Sequence, residues 1–165
     1  VLESWTTVAD FVSHRFVHHI IENGKLLAND DYQIHGDSGF YRNHSDPLTK
    51  PTPRDALDDL AFVYYIRAMD LHVDSVYRIP RSFRTDHNPV TVTVVGHDSV
   101  EMPDGSRCYC WLLHPVVDEP GGLFSKKSEA QLWLTDDGLR IPVQIKSKIS
   151  VGTVTLKLRK ITRGR

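Results

Sequence analysis

The chain has little with which to staple itself together. Its 165 residues include only two cysteines, Cys108 and Cys110. Residues i and i+2 of a strand point to one face with parallel Cβ vectors, near the upper limit of the Cα separation a disulfide spans. Two free, largely buried thiols are expected, and a cysteine-based zinc site lacks the second pair its spacing requires. Long apolar runs are missing too. The longest, Leu60 to Ile66, falls far short of the ~20 residues of a membrane-spanning helix. There is no glycine-rich phosphate loop, no HExxH pair and no nucleophile elbow. No catalytic residue, metal ligand or cofactor is assigned, and the chain is expected not to be an enzyme.

Acid is absent from one whole stretch. Residues 138–165 hold eight bases and no Asp or Glu, a net of +8, while residues 1–137 hold the other 12 bases and all 21 acids, a net of −9. The total of −1 argues against a dedicated nucleic-acid binder. With 40% hydrophobic and 25% charged residues, the composition is that of a folded protein. A chain of this length buries roughly 70% of the surface it exposes when unfolded. One β-rich domain over 1–165 is expected.

What is present is a period of two. Arg15–Ile21, Tyr32–His35, Val76–Ile79, Val90–Val95, Cys108–Leu113, Ala130–Leu134, Ile141–Ile149 and Thr153–Ile161 are short and rich in β-branched or aromatic residues. Turn signals separate them: Glu22-Asn23-Gly24, Asp37-Ser38-Gly39, Pro103-Asp104-Gly105, Pro120-Gly121-Gly122 and Asp136-Asp137-Gly138. This spacing predicts a mainly β fold, an antiparallel meander forming a curled sheet or a partly open β-barrel. One helix interrupts it. Thr52-Pro53-Arg54-Asp55 offers a cap, a proline at the first helical position and a carboxylate three residues beyond the cap. Leu57, Leu60, Ala61, Tyr64, Ala68 and Leu71 then recur at helical spacing, predicting a helix over about 54–69 packed on the sheet. Asn43–Pro53 reads as a loop.

Several polar groups invite a chemical reading. Asp136-Asp137-Gly138 could form one corner of a calcium site, but Asp-Gly is a strong hairpin signal and no EF-hand spacing follows. Asp58-Asp59 falls in the helix's first turns, where carboxylates favour the positive end of the dipole. His14 and His18 share a strand face, yet lie ~13 Å apart by rise alone, and His19 points the other way. The final basic segment is more informative. Val143, Ile145 and Ile149 alternate with Lys146 and Lys148, and Val154, Leu156 and Leu158 alternate with Lys157 and Arg159. If Ser150-Val151-Gly152 turns the chain, Lys146, Lys148, Lys157 and Arg159 share one solvent-facing side. That side reads either as a solvated sheet face or as a docking face for an acidic protein or an anionic membrane surface, worth ~1 kcal/mol per cation on a membrane.

Longer stretches carry a resemblance. Leu2-Glu3-Ser4-Trp5, Ser13-His14-Arg15-Phe16, the run Leu57 to Arg67, Asn88-Pro89-Val90, Val94–Val100 with Met102-Pro103-Asp104-Gly105, Leu132–Asp137, Arg140-Ile141-Pro142-Val143 and Val151–Val154 follow one another in order. Together they resemble the bacterial exported domain-of-unknown-function family 3108 over nearly the whole chain. The resemblance implies an exported or periplasmic, mostly antiparallel β protein and brings no activity with it. Family members usually carry an upstream signal peptide and a Gly-Glu-containing first hairpin. This chain starts at Val1 without either, so the sheet edge near residues 1–12 is expected to need a cover.

The function expected from these readings is a non-catalytic, exported accessory or scaffolding subunit. It would dock with other protein subunits on the periplasmic side of a membrane-bound assembly, for example a photosynthetic reaction-centre–antenna complex. Lys146, Lys148, Lys157 and Arg159 are its candidate partner-binding residues. The alternative is a carrier of a hydrophobic small molecule or lipid, in a cavity lined by Phe83, Val92, Val94, Trp111 or Trp133 and lidded by the helix.

Overall fold

In the computed structural model, residues 1–22, 24–118, 124–149 and 152–162 are described. The expected class holds: two antiparallel sheets and, among the described residues, one α-helix. The chain divides into two compact units, Val1–Ala68 with Ile79–Pro89, and Met69–Arg78 with Val90–Arg165.

The first unit holds a five-stranded meander, β1 (Leu2–Thr6), β2 (Ser13–Glu22), β3 (Lys25–His35), β4 (Phe40–Asn43) and β5 (Thr49–Pro51), paired in chain order. The expected loop over 43–53 therefore contains a strand. β5 is short, exposed and at an edge, and its Pro51 opposite Phe40 is tolerated there because an edge strand need not donate from every residue. The acid pair Asp30-Asp31 sits inside β3, a poor strand composition offset by cross-strand partners. Arg15 Nε and Nη2 both donate to Asp31 at 2.8 Å, and Asn43 Nδ2 donates to Asp30 at 2.6 Å. One face buries Phe16, Ile34 and Tyr41 against Ala56 and Phe83. Phe83 meets Tyr41 edge-on with ring centres 5.0 Å apart. Burying such a ring stabilises the fold by about 1.5–3 kcal/mol.

The helix α1 runs Asp59–Ala68, five residues shorter at its start than the sequence predicts. Thr52 does not cap it; its hydroxyl donates to Phe83 O at 2.8 Å. Leu57 is held extended by a bridge to Ser82, with Leu57 N donating to Arg81 O and Phe83 N to Leu57 O. Asp58 takes over as the cap: its Oδ1 accepts from Leu60 N and Ala61 N, each at 3.0 Å. The buried stripe is Ala61, Phe62 and Ile66, while Tyr64, expected on that stripe, is 54% exposed. The buried face is thus turned from the expected one toward Phe62 and Ile66.

The second unit holds a six-stranded sheet in the order β11-β10-β9-β8-β7-β6. Its strands are β6 (Val76–Ile79), β7 (Val90–Glu101), β8 (Arg107–Val116), β9 (Gln131–Thr135), β10 (Pro142–Ile149) and β11 (Gly152–Lys157). Asp136-Asp137-Gly138 is the β9–β10 connection, and the Asp137 carboxylate caps it by accepting from Thr135 Oγ1, Leu139 N and Arg140 N. Pro103-Asp104-Gly105 turns β7 into β8. Two expected turn signals extend into Asn23 and Ser150-Val151, and a third is Pro120-Gly121-Gly122; these residues lie outside the described ones. Both faces of this sheet are buried near its centre. Val92, Val94, Leu113, Leu132 and Leu134 lie on one face, all fully buried. On the other, Val100, Cys110, Trp133 and Val143 form a second cluster with Met102, Cys108, Leu112 and Leu158 against it.

Candidate functional site

The basic face is built by register. β11 pairs with β10 so that Lys146 lies opposite Thr155, Lys148 opposite Thr153 and Lys157 opposite Gln144. Residues directly opposite one another in an antiparallel pair share a face, so Lys146, Lys148 and Lys157 stand on one side, as expected. Arg159 follows two residues beyond the end of β11 and is exposed. The three lysines differ in their partners. Lys148 Nζ pairs with Glu129, which holds the Glu129 carboxyl below its usual range. Lys146 and Lys157 have no ion pair among the described residues.

The apolar residues of this hairpin do not form the single face that alternation predicts. The β9–β10 register slips between Pro142 and Gln144. Ile145 then lies opposite Leu132 and Leu156, while Val143 joins Trp133 and Cys110 on the other side together with Leu158. The side chain of Ile149 lies outside the described residues.

This second cluster curls the sheet. Met102, at the tip of the β7–β8 hairpin, and Leu158, just past β11, belong to distant places in the strand order, yet both pack on it. Between the tip and β11 lies a groove of about 610 Å³, lined by Glu101, Met102 and Pro103 on one side and residues 155–159 on the other. Successive strand side chains point to opposite faces, so consecutive residues such as Thr155, Leu156 and Lys157 line one groove only along the strand's edge. β10 occupies one edge of β11, and among the described residues no strand occupies the other. Leu158 N donates to Val143 O at 2.8 Å. Main-chain groups alternate inward and outward along an antiparallel strand, so the N–H and C=O of Thr155 and Lys157 face outward along the free edge.

The family model "Protein of unknown function (DUF3108)" matches residues 1–159. The chain belongs to the DUF3108 family. Among curated proteins and among solved structures no match was found.

Several other polar groups of this DUF3108 protein lie close to one another. His18 Nδ1 lies 3.9 Å from Asp30, His19 Nδ1 lies 2.9 Å from Asn29 Oδ1, and no metal-ligating cluster occurs among the described residues. A cleft of about 240 Å³ in the first unit brings together Tyr32, Tyr41, Lys50 and Arg84. Burial, reinforced by Asp30, pushes the Tyr32 hydroxyl up to about 12, so it stays protonated at neutral pH. Cys108 and Cys110 are free thiols on one face of β8, half-buried and buried respectively. Burial pushes the Cys110 thiol up to about 12.

The side chains proposed to line a ligand cavity are spread over separate environments. Phe83 fills the first unit's core. Val92 and Val94 lie on the opposite face of the six-stranded sheet from Trp133, whose Nε1 donates to Asp98 at 2.9 Å. Trp111 packs on His97, ring centres 4.1 Å apart. The groove at β11 was not foreseen as a site: its tip residues Glu101 and Met102 meet β11 only through the curl, which leaves no local signal beyond the Pro-Asp-Gly turn.

Proposed function

We propose that this DUF3108 protein is a non-catalytic accessory subunit, exported to the periplasm, that docks on another protein of an envelope or membrane-bound assembly through the basic edge formed by Lys146, Lys157 and Arg159. The observation that carries the reading is the coincidence of Lys157 and Arg159 in an unfilled groove at a strand edge that no other described strand occupies, with Lys146 on the same face as Lys157 one strand further in. Like charges on one sheet face disfavour the fold, and an acidic partner offsets that cost. Such a contact is steered by charge and weakened by salt. No helix among the described residues is long and apolar enough to cross a membrane, which fits a subunit that reaches the membrane through its partner.

The test is native fractionation of the source envelope at low and high ionic strength. The wild-type protein co-migrates with a larger assembly at low salt and is released at about 0.5 M salt, where screening acts within ~4–5 Å. A Lys146→Glu/Lys157→Glu variant migrates free at both. Migration of the wild type as a free monomer at low salt, or retention of the double variant, overturns the proposal.

A further inference from the structure

We infer that the partner enters as a strand: an extended segment whose acidic and aliphatic residues alternate adds to the free edge of β11. This rests on the docking reading above and specifies its chemistry. Three features of the edge point to it. First, the outward N–H and C=O groups of Thr155 and Lys157 form an unused ladder, the template on which an added strand pairs. Second, the two sides of that ladder differ. The side chains of Thr155 and Lys157 share the face of Lys146, whereas Leu156, 49% exposed, lies with Ile145 on the other. A strand laid along β11 places every second side chain beside Lys157, on the face that Lys146 shares one strand further in, and the intervening ones beside Leu156. Carboxylates suit the first set and aliphatic side chains the second.

Third, the groove leaves space on that side of β11. Its far wall, Glu101 to Pro103, stands across about 610 Å³ of space from β11, so an added strand fills the gap between hairpin tip and sheet edge. Glu101 is the one acid in that wall, against Lys157 and Arg159 on the β11 side. The incoming carboxylates are therefore directed to β11 and not to the tip. An anionic lipid headgroup would satisfy the lysines but would leave both the ladder and Leu156 unused.

The experiment uses the full chain and a synthetic, fluorescently labelled peptide of alternating Glu and Val. The comparison probes are its Lys–Val counterpart, the Glu–Val peptide N-methylated on every amide so that neither edge can donate, and vesicles of phosphatidylglycerol and phosphatidylcholine. The Glu–Val peptide binds, the Lys–Val peptide does not, and Lys157→Glu weakens binding about tenfold. Thr155→Pro, which removes one outward N–H and leaves the β10 bonds in place, weakens it roughly five- to tenfold, the worth of a main-chain hydrogen bond. Hydrogen exchange shows the Thr155 and Lys157 amides gaining protection on binding, while the Leu158 amide, already bonded to Val143, does not change and reports that the variants keep the hairpin.

Equal binding of the N-methylated peptide, which has no N–H left on either edge, or no new protection at Thr155 and Lys157, overturns strand addition while charge-driven docking stands. Binding to the vesicles with none to the peptide overturns it in favour of a lipid surface. If neither probe binds, strand addition fails, and the salt-dependent fractionation decides separately whether docking fails with it.

Discussion

Ser4 Oγ donates to Asp58 Oδ2 at 2.6 Å, so strand β1 and the start of helix α1 share one buried carboxylate. Asp58 N in turn donates to Ser13 Oγ at 2.9 Å. Asp58→Ala removes the cap and strands the Leu60 and Ala61 amides, and is expected to cost about 2–3 kcal/mol. Asp58→Asn keeps an acceptor and costs less. Urea unfolding followed by circular dichroism measures both; an alanine variant within about 0.5 kcal/mol of wild type, the range of an ordinary surface substitution, would show that the cap is dispensable.

Acid affects two carboxylates of the first unit in opposite senses. The Arg15 guanidinium holds Asp31 below its usual value of 3.8, so the pair stabilises the fold above that value and loses its effect as pH falls through the lower folded value. Burial raises Asp58 above its usual value of 3.8, so its desolvation cost is present above the raised value and is relieved as pH falls toward 3.8. Thermal melts across pH 2–7, a range that brackets ordinary carboxylates (~3.9–4.3), separate the two. The stability gap between wild type and Asp31→Asn widens as pH rises through the acid range, whereas the pH-dependent part of the gap to Asp58→Asn narrows. Parallel profiles for the two variants would contradict this assignment.

Gly36 is buried where a Cβ would meet Arg54 O at 2.3 Å. A backbone oxygen cannot swing aside as a side-chain tip can. Gly36→Ala is expected to destabilise by about 1–3 kcal/mol. Gly39→Ala, at φ +73 with no atom within 4 Å, pays only the left-handed backbone cost of about 1–2 kcal/mol. The denaturation midpoints of the two variants, with unchanged slope, check the comparison.

The thiols should differ in reactivity despite being two residues apart. Cys110, buried and pushed up to about 12, stays protonated at pH 8, and its sulfur is shielded. A disulfide reagent at that pH is expected to modify Cys108 in the native protein and Cys110 only after unfolding. Peptide mapping after brief labelling distinguishes them, and native labelling of Cys110 at the rate of Cys108 would refute the contrast.

Much of this was legible from residue alternation. Val76–Ile79 has the bounds that the pattern predicts, and Lys146, Lys148 and Lys157 share a face because parity about a hairpin turn is a local property. The helix start was not legible. Thr52-Pro53 carries the stronger local capping signal, but Asp58 wins through Ser4 and Ser13, partners brought from far along the chain. Val143 and Ile145 read as one face until a single extra residue in the β9–β10 pairing separates them, and Pro142 at its margin is the one local sign of that bulge. The groove at β11 was equally hidden, because which strand lies at an edge is decided by the order of all six.

The free edge of β11 also bears on how copies of the protein treat one another. An open strand edge is a template for self-association as much as for a partner. If two β11 edges met across a two-fold axis, each would bring Lys157 and its basic neighbours toward the other's, and their mutual repulsion would oppose the join. The same cations thus act as gatekeepers, keeping solitary copies apart until an acidic strand takes the place. This protection is purely coulombic, so it fades as ionic strength rises, and concentrated protein will keep best in dilute salt.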